Sequence, residues 1–377
     1  MGIDKTAFRS WKTGQISKGC SLCVEGRKSV LFATGICPAD CYYCPISDKK
    51  KGRDVVYINE WPTKKFSEIK KEIWLCSSKG AGITGGDPLA RISRTISFII
   101  QLKKTFGKKF HIHLYTPLEL VNERNLGRLH EAGLDEIRVH PSLENKKLWE
   151  KISLLKKFNW KAGIEIPVIP GKGKGIGELI NFSKGKVDFI NLNELEISDT
   201  NANKLVERGF IPKDRVSYGV KGSGDLAVKL LKQCSGLGIN AHYCTASLKD
   251  AVQLAKRIRL RAKNAARPFD IITSEGMLVR GAIFLQDFQP SFGSRRKIEA
   301  LRRERKNQLL KRLNEKKKKL RQLGIGILEI DKNKLRLLTA AASVKNHSQG
   351  IKKLGLKPAI VEEYPTYDAL EVEVEFV

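Results

Sequence analysis

A chain of 377 residues is long enough for two domains, or for one large barrel with an extension. Its 41% hydrophobic and 29% charged residues, with 32 Gly and 13 Pro, are ordinary globular usage and exclude a collagen-like or wholly disordered chain. Lys and Arg number 70 against 40 Asp and Glu, a net charge of +30 that calls for a polyanionic partner, nucleic acid first and an anionic membrane surface second, unless it reflects a Lys-rich compositional bias.

The N-terminal segment MGIDKTAFRSWKTGQ lacks the apolar core of a secretory signal, and no run approaches the ~18 uninterrupted apolar residues of a membrane span. A cytoplasmic protein without membrane association is expected. Five of the eight cysteines lie between positions 20 and 44, a clustering that in a reducing compartment reads as metal or iron–sulfur binding. The first two, Cys20 and Cys23, form CSLC, with metal-ligand spacing but only half a site.

Short apolar runs then alternate with amphipathic segments. The runs are VLFATGI (30–36), GAGITGG (80–86), FHIHLYTP (110–117), EIRVHPS (136–142), AGIEIPVIP (162–170), DFINLNELEIS (188–198) and INAHYCT (239–245). Helix-like stretches between them include SEIKKEIWLCSSKG, RISRTISFIIQLKKTFG, NERNLGRLHEAG and NKKLWEKISLLKKF. This alternation predicts a parallel α/β sheet or barrel with its chemistry at the C-terminal ends of the strands. GKGKGIGE (171–178) lacks the Lys-Ser/Thr ending of a phosphate loop and reads as a strand-to-helix connection. Beyond about residue 290 the character changes: 294–322 carries 14 basic and 3 acidic residues, with Ile298, Leu301, Leu309, Leu313 and Leu320 on one helical stripe. The remainder predicts a small α+β cap whose last strand, LEVEVEFV, buries one face and turns an acidic face outward. The expected division is an N-terminal CxxC segment 1–29, a barrel 30–290, a basic helix 291–323 and a cap 324–377.

The most specific signal is CPADCYYC, which sets Cys37, Cys41 and Cys44 at C-x3-C-x2-C spacing directly after the first apolar run. Three thiolates on a short loop can hold three irons of a 4Fe-4S cubane and leave the fourth iron open for a ligand. A structural zinc site would want four ligands in two pairs. Downstream, GITGGDPL ends the second run with Gly85 and Gly86, where backbone can approach a ligand without side chains in the way.

With these two motifs, residues 20–265 resemble the radical SAM superfamily, in an archaeal-type group related to pyruvate formate-lyase activating enzyme. The resemblance implies a partial parallel (β/α) barrel, here extended by the basic helix and cap. It implies that the open iron binds the amino and carboxylate groups of S-adenosylmethionine, whose reductive cleavage yields a 5′-deoxyadenosyl radical. By the same resemblance Tyr43 matches the aromatic near the adenine, Gly85, Gly86 and Asp87 the element for the methionine end, and Arg138, His140 or Ser142 the fourth-strand contacts to ribose or carboxylate. Asp87 stands where the family usually has Glu. The fifth strand supplies an adenine-contacting edge, and the sixth puts Asn191, Asn193, Glu194 and Glu196 near the mouth, with Asn191 and Asn193 on one face.

Cys244, Cys234, Cys76 and His242 are candidates to complete the Cys20–Cys23 pair as an auxiliary iron–sulfur cluster or a zinc site. Cys244 is the best placed of them and is also a candidate hydrogen-atom donor, with His242 beside it in HYCT. Cys76 and Cys234 otherwise read as small core residues. The cofactors expected are thus a 4Fe-4S cluster, S-adenosylmethionine and a second cluster or zinc, with an external electron donor. Two substrate readings stand. RNA, with tRNA foremost, is suggested by the net charge, by the helix 294–322 and by KRIRLRAK (256–263); a protein or small metabolite would make the basic helix a clamp or an acidic partner's dock. A non-catalytic iron–sulfur sensor or electron carrier is the third.

Overall fold

The computed structural model describes every residue except Phe292. It divides into two compact units, Met1–Arg257 and Ile258–Val377.

In the first unit, seven strands among the described residues run parallel in chain order: β1 (Lys28–Phe32), β2 (Gly80–Thr84), β3 (His111–Pro117), β4 (Glu136–His140), β5 (Lys161–Val168), β6 (Phe189–Glu194) and β7 (Asn240–Cys244). The sheet stays open. At the β7 edge Trp11–Thr13 pairs antiparallel and is itself paired by Ile3–Lys5; at the β1 edge Tyr57–Ile58 does the same. Both edges of the parallel sheet are thereby covered, which removes the unpaired backbone groups an exposed edge would offer.

Period-two alternation gives the sheet two different faces. Ala81, Ile83, Ile112, Leu114, Ile137, Val139, Ala162, Ile164, Ile190, Leu192, Ala241 and Tyr243 belong to one buried apolar core. That core also takes in Ile69 and Ile73 of helix α1 (Phe66–Leu75), Ile99 and Leu102 of α2 (Ile92–Phe106), Leu126 and Leu129 of α3 (Glu123–Glu131), Leu179 of α4 (Gly173–Ser183) and Leu231 of α5 (Ser223–Gly236). The residues between them on the strands are small or polar: Gly82, His113, Tyr115, Glu136, Arg138, Glu165, Asn191, Asn193 and His242. A short helix, Lys18–Val24, lies on this second face. At Gly19 a Cβ would stand 2.8 Å from Glu136 Oε1 and closer still to Arg138 and His113, so only glycine allows that approach. The helix predicted over NKKLWEKISLLKKF forms instead as a run of tight 3₁₀ turns, Lys146–Lys157, still burying Trp149, Ile152 and Leu155.

The second unit is an antiparallel sheet in the order Glu329–Asp331, Arg336–Thr339, Leu278–Leu285, Leu356–Glu363, Glu371–Phe376. Leu278–Leu285 is central to it and not part of the barrel, so the boundary falls at 257/258 and not at 290. The basic segment folds as two helices, Ser294–Glu299 and Arg303–Gln322. Ile298, Leu309, Leu313 and Leu320 are buried in this unit's own core with Leu335 and Leu337, and Leu301 packs against it. The last strand departs from expectation: Val372 and Phe376 are 58% and 49% exposed, while Glu371 turns in toward Arg336. An edge strand with a bulge opposite Glu362 and Glu363 does not keep a strict inside–outside alternation.

Candidate active site

The cysteine loop leaves the C-terminal end of β1 and is closed by backbone bonds from Gly35 N to Arg53 O (2.8 Å) and Gly52 N to Gly35 O (2.9 Å). Asp54 anchors its base, accepting from Thr34 Oγ1 at 2.9 Å and from Arg91 Nε at 2.9 Å, and the bonds from Arg94 and then Arg91 hold its carboxyl below the usual range. Cys37, Cys41 and Cys44 line an open cavity of about 380 Å³ at the C-terminal ends of the parallel strands. Gly85 and Gly86 line the same cavity and pack against the backbone at the start of that loop, Thr34 to Ile36. Gly85 has φ +156°, and a Cβ on Gly86 would come within 2.6 Å of Ile36 O and 2.8 Å of Gly35 O. Burial pushes the Cys37 thiol up to about 11 and raises Cys41 as well, so both need a cation or a cluster to ionise.

Further along the sheet the cavity wall is made by Tyr115, Thr116 and Pro117 of β3, His140 of β4, Glu165 and Pro167 of β5, Asn193 and Glu194 of β6, and then Leu195, Glu196 and Lys249. Tyr43 Oη donates to His140 Nε2 at 2.8 Å, and His140 Nδ1 donates to Glu165 O at 3.0 Å, which defines the neutral tautomer; burial lowers this imidazole's pKa. Glu165 accepts from Arg138 Nη1 (2.7 Å), Asn191 Nδ2 (2.9 Å) and Asn193 Nδ2 (3.0 Å). The two asparagines do share a face, because both reach one carboxylate. Glu194 accepts from Lys213 Nζ at 2.9 Å and from the Ala246 backbone at 2.8 Å.

Several expected ligands stand apart from this wall. Arg138 is buried beneath it, bonded to Glu136 and Glu165, to Tyr115 Oη at 2.9 Å and to Ser17 Oγ at 3.0 Å, and so orients the wall from behind. Asp87 caps the turn that follows it, accepting from Leu89 N (2.9 Å) and Thr116 Oγ1 (2.8 Å); burial raises its pKa to about 6. Ser142 bonds the backbone of Glu144 and Asn145 in a turn. His242 is buried on Ser10 Oγ at 2.7 Å, with its pKa lowered to about 4 by burial, and Cys244 lies by Gln253 with its thiol pushed up to about 12 by burial. None of these five side chains lines the cavity.

Cys20 is buried, with Sγ 3.3 Å from Asn191 Nδ2 and 3.5 Å from Arg138 Nη2; burial raises its pKa. Among the described residues no three His, Cys, Asp or Glu side chains are grouped as ligands of a single metal ion, at Cys20 and Cys23 or at the three loop cysteines. Cys76 and Cys234 are buried in the first unit. Glu165 and Lys249 were not singled out in the sequence. For Glu165 there was a signal: it is the one charge inside the apolar run AGIEIPVIP, where an unpaired carboxylate is rarely buried.

A model of the radical SAM superfamily matches residues 31–152, from β1 past β4. A protein of Methanocaldococcus jannaschii, provisionally named a glycyl-radical enzyme activating enzyme, is 47% identical over 283 residues, 72% of this chain and 75% of that protein. The chain belongs to the radical SAM superfamily. Solved structures resemble this radical SAM chain more distantly: SuiB of Streptococcus suis bound to S-adenosylmethionine (12% identity, TM-score 0.42, 58% of this chain and 50% of that one) and methylornithine synthase (11%, 0.38, 62% and 79%). The fold is the mixed α/β one of this superfamily, whose cofactors are a 4Fe-4S cluster and S-adenosylmethionine. The chain's residues fit both. Three thiols from one loop face one cavity, a glycine pair keeps side chains out beside them, and the wall beyond is polar and already oriented. No helix among the described residues is long and apolar enough to cross a membrane.

Proposed function

We propose that this radical SAM enzyme abstracts a hydrogen atom from a polypeptide substrate, the glycyl residue of a partner enzyme. The observation that carries the reading is the 47% identity shared with a protein named for that activity. When bound, the reduced cluster and S-adenosylmethionine supply the 5′-deoxyadenosyl radical that accepts the hydrogen.

The rest is work for the chain's own residues. Cys37, Cys41 and Cys44 would hold the cluster, and the backbone at Gly85 and Gly86 would receive the amino-acid end of S-adenosylmethionine. Tyr43 and the neutral His140, each committed to the other, would form one wall for the nucleoside. Arg138, Asn191 and Asn193 keep Glu165 fixed, so the wall does not reorganise when a ligand enters. Segment 195–222 shields the loop: Leu195, Leu205 and Val220 make a small core against Tyr42 and Tyr43, and Asn201 Nδ2 donates to Tyr43 O at 3.0 Å. An external electron donor and a reducing, cytoplasmic setting follow from the same reading. The RNA alternative rests on charge alone, and the basic helix Arg303–Gln322 spends its apolar stripe on its own unit's core.

The test uses anaerobically reconstituted enzyme, reductant and S-adenosylmethionine, with extract of the source organism. Stimulated release of 5′-deoxyadenosine should be lost when the extract is pretreated with protease and kept when it is pretreated with nuclease. Loss to nuclease alone would overturn the protein-substrate reading.

A further inference from the structure

Around the cavity nearly every polar group is already committed. Both ring nitrogens of His140 are bonded, Glu165 has three partners, and Glu194 holds Lys213 and the Ala246 amide. Among the groups with bonding capacity left is a pair at the β6–β7 end of the strand order, beside the cysteine loop, since Asn201 Nδ2 donates to both Glu196 O and Tyr43 O. Lys249 Nζ donates to Glu196 Oε1 at 2.7 Å; the side chains are 35% and 28% exposed, and both line the cavity. One bond uses one of the three ammonium N–H groups and one of the two carboxylate oxygens. What is left is a donor and an acceptor side by side on a pair with no net charge.

Resting on the protein-substrate reading, we infer that Lys249 and Glu196 form the subsite that reads a backbone peptide unit of the substrate: the ammonium donates to its carbonyl and the free carboxylate oxygen accepts from its N–H. A charged ligand would gain from one member and lose to the other, whereas a peptide unit offers one acceptor and one donor. A glycyl residue has no side chain to be recognised, so its flanking peptide groups are the only polar handles. The surface beside the pair is apolar. Tyr218 O accepts from Ile197 N at 2.8 Å, next to Glu196, and Tyr218, Val216, Ile211 and Val206 are 63%, 92%, 54% and 60% exposed. Lys213 is engaged inward on Glu194 and Arg208 lies over the Tyr42 ring at 4.5 Å, while Lys204, Arg215 and Lys221 are exposed on the same segment. The exposed apolar groups suit a polypeptide segment.

The experiment measures anisotropy of a fluorescein-labelled heptapeptide with a central glycine, bound to reconstituted enzyme loaded with S-adenosylmethionine but not reduced. After reduction, deuterium transfer from the dideuterated glycine to 5′-deoxyadenosine is followed. Lys249→Met and Glu196→Gln should each weaken peptide binding by roughly tenfold, about 1.4 kcal/mol, and raise KM more than they lower kcat, with iron content retained as the folding control. If the wild type transfers deuterium and both variants bind within about twofold of it, the subsite is wrong and the protein-substrate reading survives. If the wild type does not bind the peptide, or a single-stranded oligonucleotide displaces it at lower concentration, the inference falls, and the extract assay then decides the broader reading.

Discussion

Two buried charge networks, one in each unit, show how similar residues serve different ends. In the second unit Glu363, fully buried, accepts from Arg280 at 2.9 Å and from Arg336 at 2.6 Å, and Arg336 also reaches Asp331 at 3.0 Å and Glu371 at 3.2 Å. This network lies within one unit, with only Asp331 and Glu371 reaching the surface at 14% and 22% exposure, and joins five strands of one sheet. In the first unit Arg138 binds Glu136 at 2.5 Å and Glu165 at 2.7 Å, but Glu165 continues into the cavity wall. A network with no member in a cavity wall fixes a fold, whereas one with a member at a ligand site also fixes the geometry of that site.

The largest expected effect separates chemistry from folding. Cys41→Ala should lose cluster iron and all 5′-deoxyadenosine production, while chemical unfolding of the second unit stays as in the wild type; undiminished turnover would remove the mechanism. Next come the two arginines. Arg336→Met leaves Glu363 buried and half paired, and should cost about 3–5 kcal/mol in denaturant unfolding. Arg138→Met should cost a similar amount and, unlike Arg336→Met, should also lower kcat with S-adenosylmethionine saturating. If both variants lost stability and neither lost kcat, the distinction between the two networks would collapse.

A pH experiment sharpens the same comparison at the far end of the first unit's polar face. Lys28 is buried with Nζ 2.7 Å from His111 Nδ1, and burial lowers its pKa to about 7, with Cys23, Glu136, Asp135 and Arg138 the other charges acting on it. Below about 7 the folded chain carries a buried ammonium. Between about 7 and the unfolded value near ~10.4, the folded state has released a proton that the unfolded state retains, so stability rises with pH in that window. Relative to Lys28→Met, the wild type should gain stability from pH 7 to pH 10 by guanidinium unfolding; parallel profiles would contradict the assignment. The smallest effect belongs to the outer face of Arg303–Gln322, where Lys318→Ala with Lys319→Ala should change stability by less than about 0.5 kcal/mol and leave 5′-deoxyadenosine release unaltered.

Much of the fold was legible because its signals are periodic and local. The seven apolar runs became the seven parallel strands, and the stripe from Ile298 to Leu320 is the buried side of the basic helices. The boundary at 257/258 was not legible, since Leu278–Leu285 reads as one more apolar strand and nothing within it says which sheet it joins. KRIRLRAK does not present all its cations to one side: Arg259 bonds Ser274 O at 2.8 Å and Arg261 is buried, while Lys256 and Lys263 are exposed. Arg138 was expected in the site and lies behind it, because alternation tells which side of a strand a residue faces and not how deep along the strand the ligand reaches.

By itself the sequence singled out the cysteine loop and the glycine pair, whose signal lies in spacings of two to four residues and in backbone freedom that only glycine has. Tertiary structure alone decided the partnerships around them. Arg138 meets Glu165 across 27 residues and Lys249 meets Glu196 across 53, through strand register and the loops that follow the strands. A charge pair of that kind carries no local pattern, so it exists for the reader only once parallel strands have brought their C-terminal ends to one cavity.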